Sequence, residues 1–223
     1  MRPWRTACEE ALRDHSEADA IAGWGFAHSS EQGPRPIFDY RFEHTLATVK
    51  LSRWLSPKVG ADAEVVECAA WLHDVRKRMK HRDGKDFHAQ EASAAVAGIL
   101  AGSDFPVDKI GAVRRAIECH VGLKLTHRLE PLETAALWDC DKLSKLGAAS
   151  LVHFACISGA HQPITTEQVL KRGEAWLALA RGIVESMNTP PAKAEAARRL
   201  AFLTRHYEQL RREWQDPMAE CPP

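Results

Sequence analysis

His73 and Asp74 stand side by side in the stretch Ala69-Ala70-Trp71-Leu72-His73-Asp74-Val75-Arg76-Lys77, and the pair joins a neutral nitrogen donor to a carboxylate able to bridge two cations. His44 precedes the pair, while His88, His120 and Asp141 follow it. The order His, His-Asp, His, His, Asp therefore runs along the chain. A lone His-Asp dipeptide means little in a sequence with eleven histidines, so the weight rests on the whole series.

The elements that must position these groups read as helices. Apolar residues return every three or four positions, and alternating β-branched runs are scarce, which predicts an all-α single domain. Helices are expected over 3–15, 39–55, 62–74, 87–101, 107–121 and 132–146, with a shorter buried one over 148–159. Between the first two lies an irregular stretch containing Gly23, Gly25, Gly33, Pro34 and Pro36. Two long helices close the chain. Thr165-Thr166-Glu167-Gln168 fits a capping box, and Thr189 before Pro190 places a capping residue ahead of a first-turn proline. The organisation expected is an N-terminal helix and irregular segment (1–37), a metal-binding core (38–160), C-terminal helices packed on the same domain (161–214) and a tail (215–223).

Each candidate ligand continues the apolar stripe of its helix. His44 shares a face with Ala47, Thr48, Leu51 and Leu55, and His73 follows Val66, Ala69 and Ala70. His88 leads Ala92, Ala95 and Ile99, His120 ends a stripe through Val113, Ala116 and Ile117, and Asp141 comes four residues after Leu137. These side chains should point inward. Histidines alone could be ordinary core residues bonded to backbone carbonyls. Two inward carboxylates are different, because a buried carboxylate without a partner costs several kcal/mol or becomes neutral. They call for a cation. Imidazole and carboxylate without thiolate suit Mn, Fe, Mg, Co or Ni, with Zn an option.

Composition narrows the partners. Lys+Arg and Asp+Glu both number 30, so no basic surface for a nucleic-acid polymer is indicated. The segment after Met1 acquires acidic residues at Glu9 and Glu10, unlike a secretory signal, and the apolar stretch 148–160 is too short to span a bilayer. The six cysteines contain no Cys-x-x-Cys pair and read as buried reduced thiols. A cytoplasmic protein without membrane attachment is expected, with a homodimer as one assembly open to it.

The chain resembles the HD superfamily of metal-dependent phosphohydrolases over approximately 38–159. The motifs are Arg-Phe-Glu-His44, Trp-Leu-His73-Asp74-Val-Arg-Lys77, Phe-His88-Ala-Gln-Glu-Ala, Glu-Cys-His120-Val and Cys-Asp141-Lys-Leu. The resemblance implies a first metal held by His44, His73, Asp74 and Asp141, and a second on His88 and His120 with Asp74 bridging. It also favours Asp141 over Asp139, which becomes an acceptor orienting a ligating imidazole. In relatives with His-Asp-x-x-Lys, the lysine lies near substrate, so Lys77 is a candidate for neutralising a phosphate. Lys77 also belongs to a basic run (Arg76, Lys77, Arg78, Lys80, His81, Arg82, Lys85) that a solvated loop would explain equally well. Arg41, one turn before His44, and Lys142, beside Asp141, are further substrate-binding candidates. Gly84 suggests a turn able to form a lid. His81, His127, His153, His161 and His206 read as loop or core residues.

The activity implied is hydrolysis of a phosphate ester or anhydride of a small metabolite, with nucleotides foremost. Asp74 anchors the catalytic ions, and a metal can lower the pKa of bound water from about 15.7 to about 7. The same ligand series occurs in HD-fold dinuclear-iron oxygenases acting on an alcohol or phosphonate. A third reading is a non-catalytic sensor or binding domain.

Overall fold

The computed structural model describes residues 1–24, 27–31, 33–78, 87–160 and 162–215. Gly25, the Gly84 turn, Lys80, His81, Arg82, Lys85, His161 and the tail 216–223, with Cys221, lie outside the described residues. The architecture is all-α. Nine α-helices occur among the described residues: α1 (Trp4–Trp24), α2 (Tyr40–Val59), α3 (Ala63–Leu72), α4 (His88–Leu100), α5 (Ile110–Glu118), α6 (Leu132–Ser144), α7 (Ala148–Ala160), α8 (Thr166–Glu185) and α9 (Pro190–Gln215).

Two departures from the sequence reading fall at the N-terminus. The first helix does not stop at His15 but runs to Trp24, because Leu12, Ser16 and Ala20 continue a buried stripe at four-residue spacing. Its distal half is also tied down by charge. Asp19 accepts from Arg41 at 2.6 Å, Glu17 from Arg35 at 2.6 Å, and the Ser16 hydroxyl donates to Asp39 at 2.6 Å. The expected irregular stretch instead contains a small antiparallel hairpin, β1 (Ala27–Ser30) paired with β2 (Gly33–Pro36).

Helix starts carry the caps that their sequences promise. The Asp39 carboxylate accepts from the Phe42 amide, and the Asp62 carboxylate from the amides of Glu64 and Val65. Thr165 and Gln168 form the reciprocal capping box at α8. The Thr189 hydroxyl has a different role from the cap expected of it, since it donates to Asp139 at 2.7 Å.

Two apolar clusters build the core. One joins α1 (Trp4, Leu12) to Val65, Leu72, Val96 and Ile117, and the other joins Leu55, Trp138 and Leu143 to Ile183, Ala196 and Leu203 of the closing helices. Helices α2, α3 and α6 contribute to both clusters. These helices carry or immediately precede four of the six ligand-type residues. Cys8, Cys68 and Cys140 are buried free thiols, whereas Cys119 is exposed.

The helix over 148–160 is not the buried one expected. It is apolar in composition, yet Ser158 is its one buried residue and Val152 is exposed. Gly147, with φ of 84°, turns the chain so that α7 departs from α6 at 59° instead of continuing into the core. Among the described residues no single helix is long and apolar enough to cross a membrane.

Candidate metal centre

Five elements bring the six ligand-type side chains to one place. His44 lies in the first half of α2, His88 opens α4, and Asp141 lies on α6. The remaining three are off the helices that were expected to carry them. His73 and Asp74 occupy the turn ending α3, and His120 follows α5 by two residues. All six are buried, with exposures from 0% for His73 to 5% for His88.

The hydrogen bonds of the rings fix which nitrogen faces inward. His73 Nδ1 lies 2.8 Å from the Ala70 carbonyl and His120 Nδ1 lies 2.6 Å from the Ile117 carbonyl, so each donates there and keeps a bare Nε2. For His44 the logic passes through Ser144. That hydroxyl donates to the Asp141 carbonyl at 2.6 Å, so at 2.9 Å it must accept from His44 Nδ1. Three imidazoles thus aim lone pairs into the cluster. Burial pushes the His44 pKa down to about 4 and that of His73 to about 3, which keeps both rings neutral at pH 7, as ligation requires.

The donor atoms form two neighbouring sets. In one, His44 Nε2 is 3.3 Å from His73 Nε2 and 3.1 Å from Asp141 Oδ1, with Asp74 Oδ2 at 3.8 Å from His44. In the other, His88 Nε2 is 3.2 Å from His120 Nε2, and Asp74 Oδ1 is 3.3 and 3.4 Å from these rings. Asp74 therefore turns one oxygen to each set. Its Oδ1 is buried without a hydrogen-bond partner, although two imidazole nitrogens stand beside it. Facing lone pairs and an unpartnered carboxylate oxygen repel one another unless a cation lies between them. Donors about 2.1 Å from one ion stand about 3 Å apart, the spacing seen here. The residues present fit divalent metal.

Lysines surround the carboxylates. Lys142 donates to Asp141 and, at 2.8 Å, to the His120 carbonyl. Lys145 also donates to Asp141 and lies 3.2 Å from His44 Nε2. Burial would raise the Asp141 pKa, but the ammonium groups of Lys142 and Lys145, with His44, hold it well below the carboxylate range. Lys77 approaches Asp74 Oδ2 at 3.2 Å and is 39% exposed, so its ammonium sits where buried centre meets solvent.

The other candidates fall in different surroundings. Arg41 is buried and paired with Asp19 of α1, which gives it a structural partner instead of an open approach to substrate. Lys142 is 3% exposed and committed to two protein acceptors, and it does not line the neighbouring cavity. Asp139 orients no imidazole. One of its oxygens accepts from the Asn188 amide and side chain at 2.8 and 3.0 Å, the other from the Thr189 amide and hydroxyl at 2.9 and 2.7 Å. Its role is to tie α6 to the start of α9.

Ser144 and Lys145 went unremarked in the sequence. Ser144 and Lys145 lie three and four residues after Asp141, the spacing that returns a helix to the same face. That signal was present. Replacing Ser144 with Ala removes the acceptor that sets the His44 tautomer, and metal affinity should fall about 10- to 100-fold with the fold retained. Titration of the metal-free variant with manganese measures this; unchanged affinity would show that Ser144 does not orient the ring.

The HD domain family matches residues 41–146. Among solved structures, a predicted HD-superfamily hydrolase from an uncultured Thermotogales bacterium aligns at 19% identity and TM-score 0.59, covering 95% of this chain and 94% of that one. An HD-superfamily hydrolase from Bacillus thuringiensis aligns at 20% identity and TM-score 0.60, covering 96% and 99%. Bacillus subtilis YpgQ, solved in complex with ADP, aligns at 20% identity and TM-score 0.57, covering 90% and 97%. No protein of curated function matches. Residues 41–146, which contain all six converging side chains, thus form an HD domain, set within the fold shared by these HD-superfamily hydrolases.

Proposed function

We propose that this chain is a metal-dependent phosphohydrolase that cleaves a phosphate ester or anhydride of a small metabolite. The observation that supports it most directly is Asp74, which turns one oxygen to the His44–His73 pair and the other to the His88–His120 pair, three of these rings presenting a bare Nε2. Divalent ions held by His44, His73, Asp74 and Asp141, and by His88 and His120 with Asp74, would supply Lewis acidity toward water and phosphoryl oxygen.

The chain's own residues handle the anion. Lys77 stands at the edge of the centre with its ammonium beside Asp74, and Lys145 stands between Asp141 and an adjoining cavity. Both are positioned to hold phosphoryl oxygens by charge. Burial of the ligands keeps bulk water from competing with those contacts.

The test is metal analysis of the purified protein followed by a phosphate-release screen under anaerobic conditions with manganese. Nucleotides, sugar phosphates and aryl phosphates serve as substrates. Release that stops on chelation and returns with metal is the expected result. Turnover that needs dioxygen would assign oxygenase chemistry to the centre, and no release from any class would remove the hydrolase reading.

A further inference from the structure

A cavity of about 410 Å³ opens beside the centre. Lys145 and Ser144 form its inner end, next to His44. Its walls are mostly carbon, with Leu151, Phe154 and Ile157 of α7 together with Leu123 and Trp176. Tyr40, His153, Arg172 and Tyr207 add polar groups to the lining. The volume lies within the usual range for small-molecule sites of roughly 300–1,000 Å³.

The oddity of α7 acquires a reason here. An apolar helix that buries one residue gains little from its composition unless that surface has another use. Leu151, Phe154 and Ile157 recur every three residues, so they share one side of the helix, and all three line the cavity. The wall hydroxyl nearest the turn into α7, Ser150, is already committed to the Gly147 carbonyl at 2.8 Å.

We propose that this cavity holds the apolar, ring-sized body of an organic phosphate whose phosphoryl group rests at Lys145. The substrate class is thus a hydrophobic phosphoester, recognised chiefly by its carbon body against Leu151, Phe154, Ile157 and Trp176. The assignment of the phosphoryl end rests on the hydrolase reading above. The body subsite rests on the cavity alone.

Calorimetry on the manganese-loaded full chain separates the two, because it reads binding without turnover. Three non-hydrolysable probes suffice: methylphosphonate, naphthylmethylphosphonate and an adenosine phosphonate. The naphthyl compound should bind at least about 30-fold more tightly than methylphosphonate, as expected for burying several ring carbons. Ile157→Trp and, independently, Leu151→Trp fill the cavity and should abolish that advantage while leaving methylphosphonate affinity and metal content unchanged. Lys145→Met should weaken both the methyl and naphthyl compounds by a similar factor of about 10.

Equal affinity of the methyl and naphthyl compounds overturns the proposal. So does a naphthyl advantage that survives both filling variants, tighter binding of the adenosine compound, or unchanged phosphonate affinity in Lys145→Met. The comparison in the unmodified chain decides even if a filling variant misfolds. A naphthyl advantage without phosphate release from any ester would leave the subsite standing and remove the hydrolase.

Discussion

Asp74→Ala protein should purify with at least about tenfold less bound metal, and its phosphate release should fall by about 10³-fold or more. Both losses follow from one geometry. Asp74 is 3% exposed, turns one oxygen to each of the two donor sets and is the one side chain they share. Burial would raise its pKa, but the imidazoles beside it and the Lys77 ammonium hold it well below the usual carboxylate range, so it stands ionised for ligation. Elemental analysis and a phosphate assay check the two parts. A variant that keeps both metal and turnover would dismiss Asp74 as the bridge.

Asp139 should show the reverse pattern. Asp139→Ala leaves the Asn188 and Thr189 amides and two side-chain donors without acceptors at a buried turn. Unmet buried donors cost about 1–3 kcal/mol each, so a loss of about 3–5 kcal/mol is expected after partial relaxation. For a chain of this size that corresponds to roughly 10 °C or more in melting temperature. Metal affinity at permissive temperature should stay within about threefold, because the carboxylate touches no ligand. Calorimetric melting alongside manganese titration measures both. A stable variant with impaired metal binding would mean that Asp139 serves the centre after all.

The sequence made the convergence legible because burial and residue type coincide. His44, His88 and Asp141 prolong apolar stripes, while the equally buried Asp139 shows that an inward carboxylate can instead be satisfied by neutral hydrogen-bond donors, which the sequence does not display. What periodicity missed was where helices stop. His73, Asp74 and His120 keep the helical phase but lie past the last helical turns, where the ring nitrogens of His73 and His120 bond to terminal carbonyls of α3 and α5. Arg41 and Lys142 were plausible substrate contacts by proximity along the chain. Proximity does not reveal that Asp19 reaches back from an extended α1, or that the Lys142 side chain turns inward to His120. The α7 surface was hidden for a further reason. Leu, Phe and Ile at helical spacing look the same whether they meet a neighbouring helix or a ligand.

Lys145 touches both Asp141 and His44 Nε2, two of the atoms that an arriving ion would claim. A divalent ion held by these two ligands would take over contacts that the Lys145 ammonium makes in its absence, and the adjoining hollow, which Lys145 also lines, would give the displaced side chain somewhere to go. Metal affinity and the position of this lysine would then be coupled through two shared atoms.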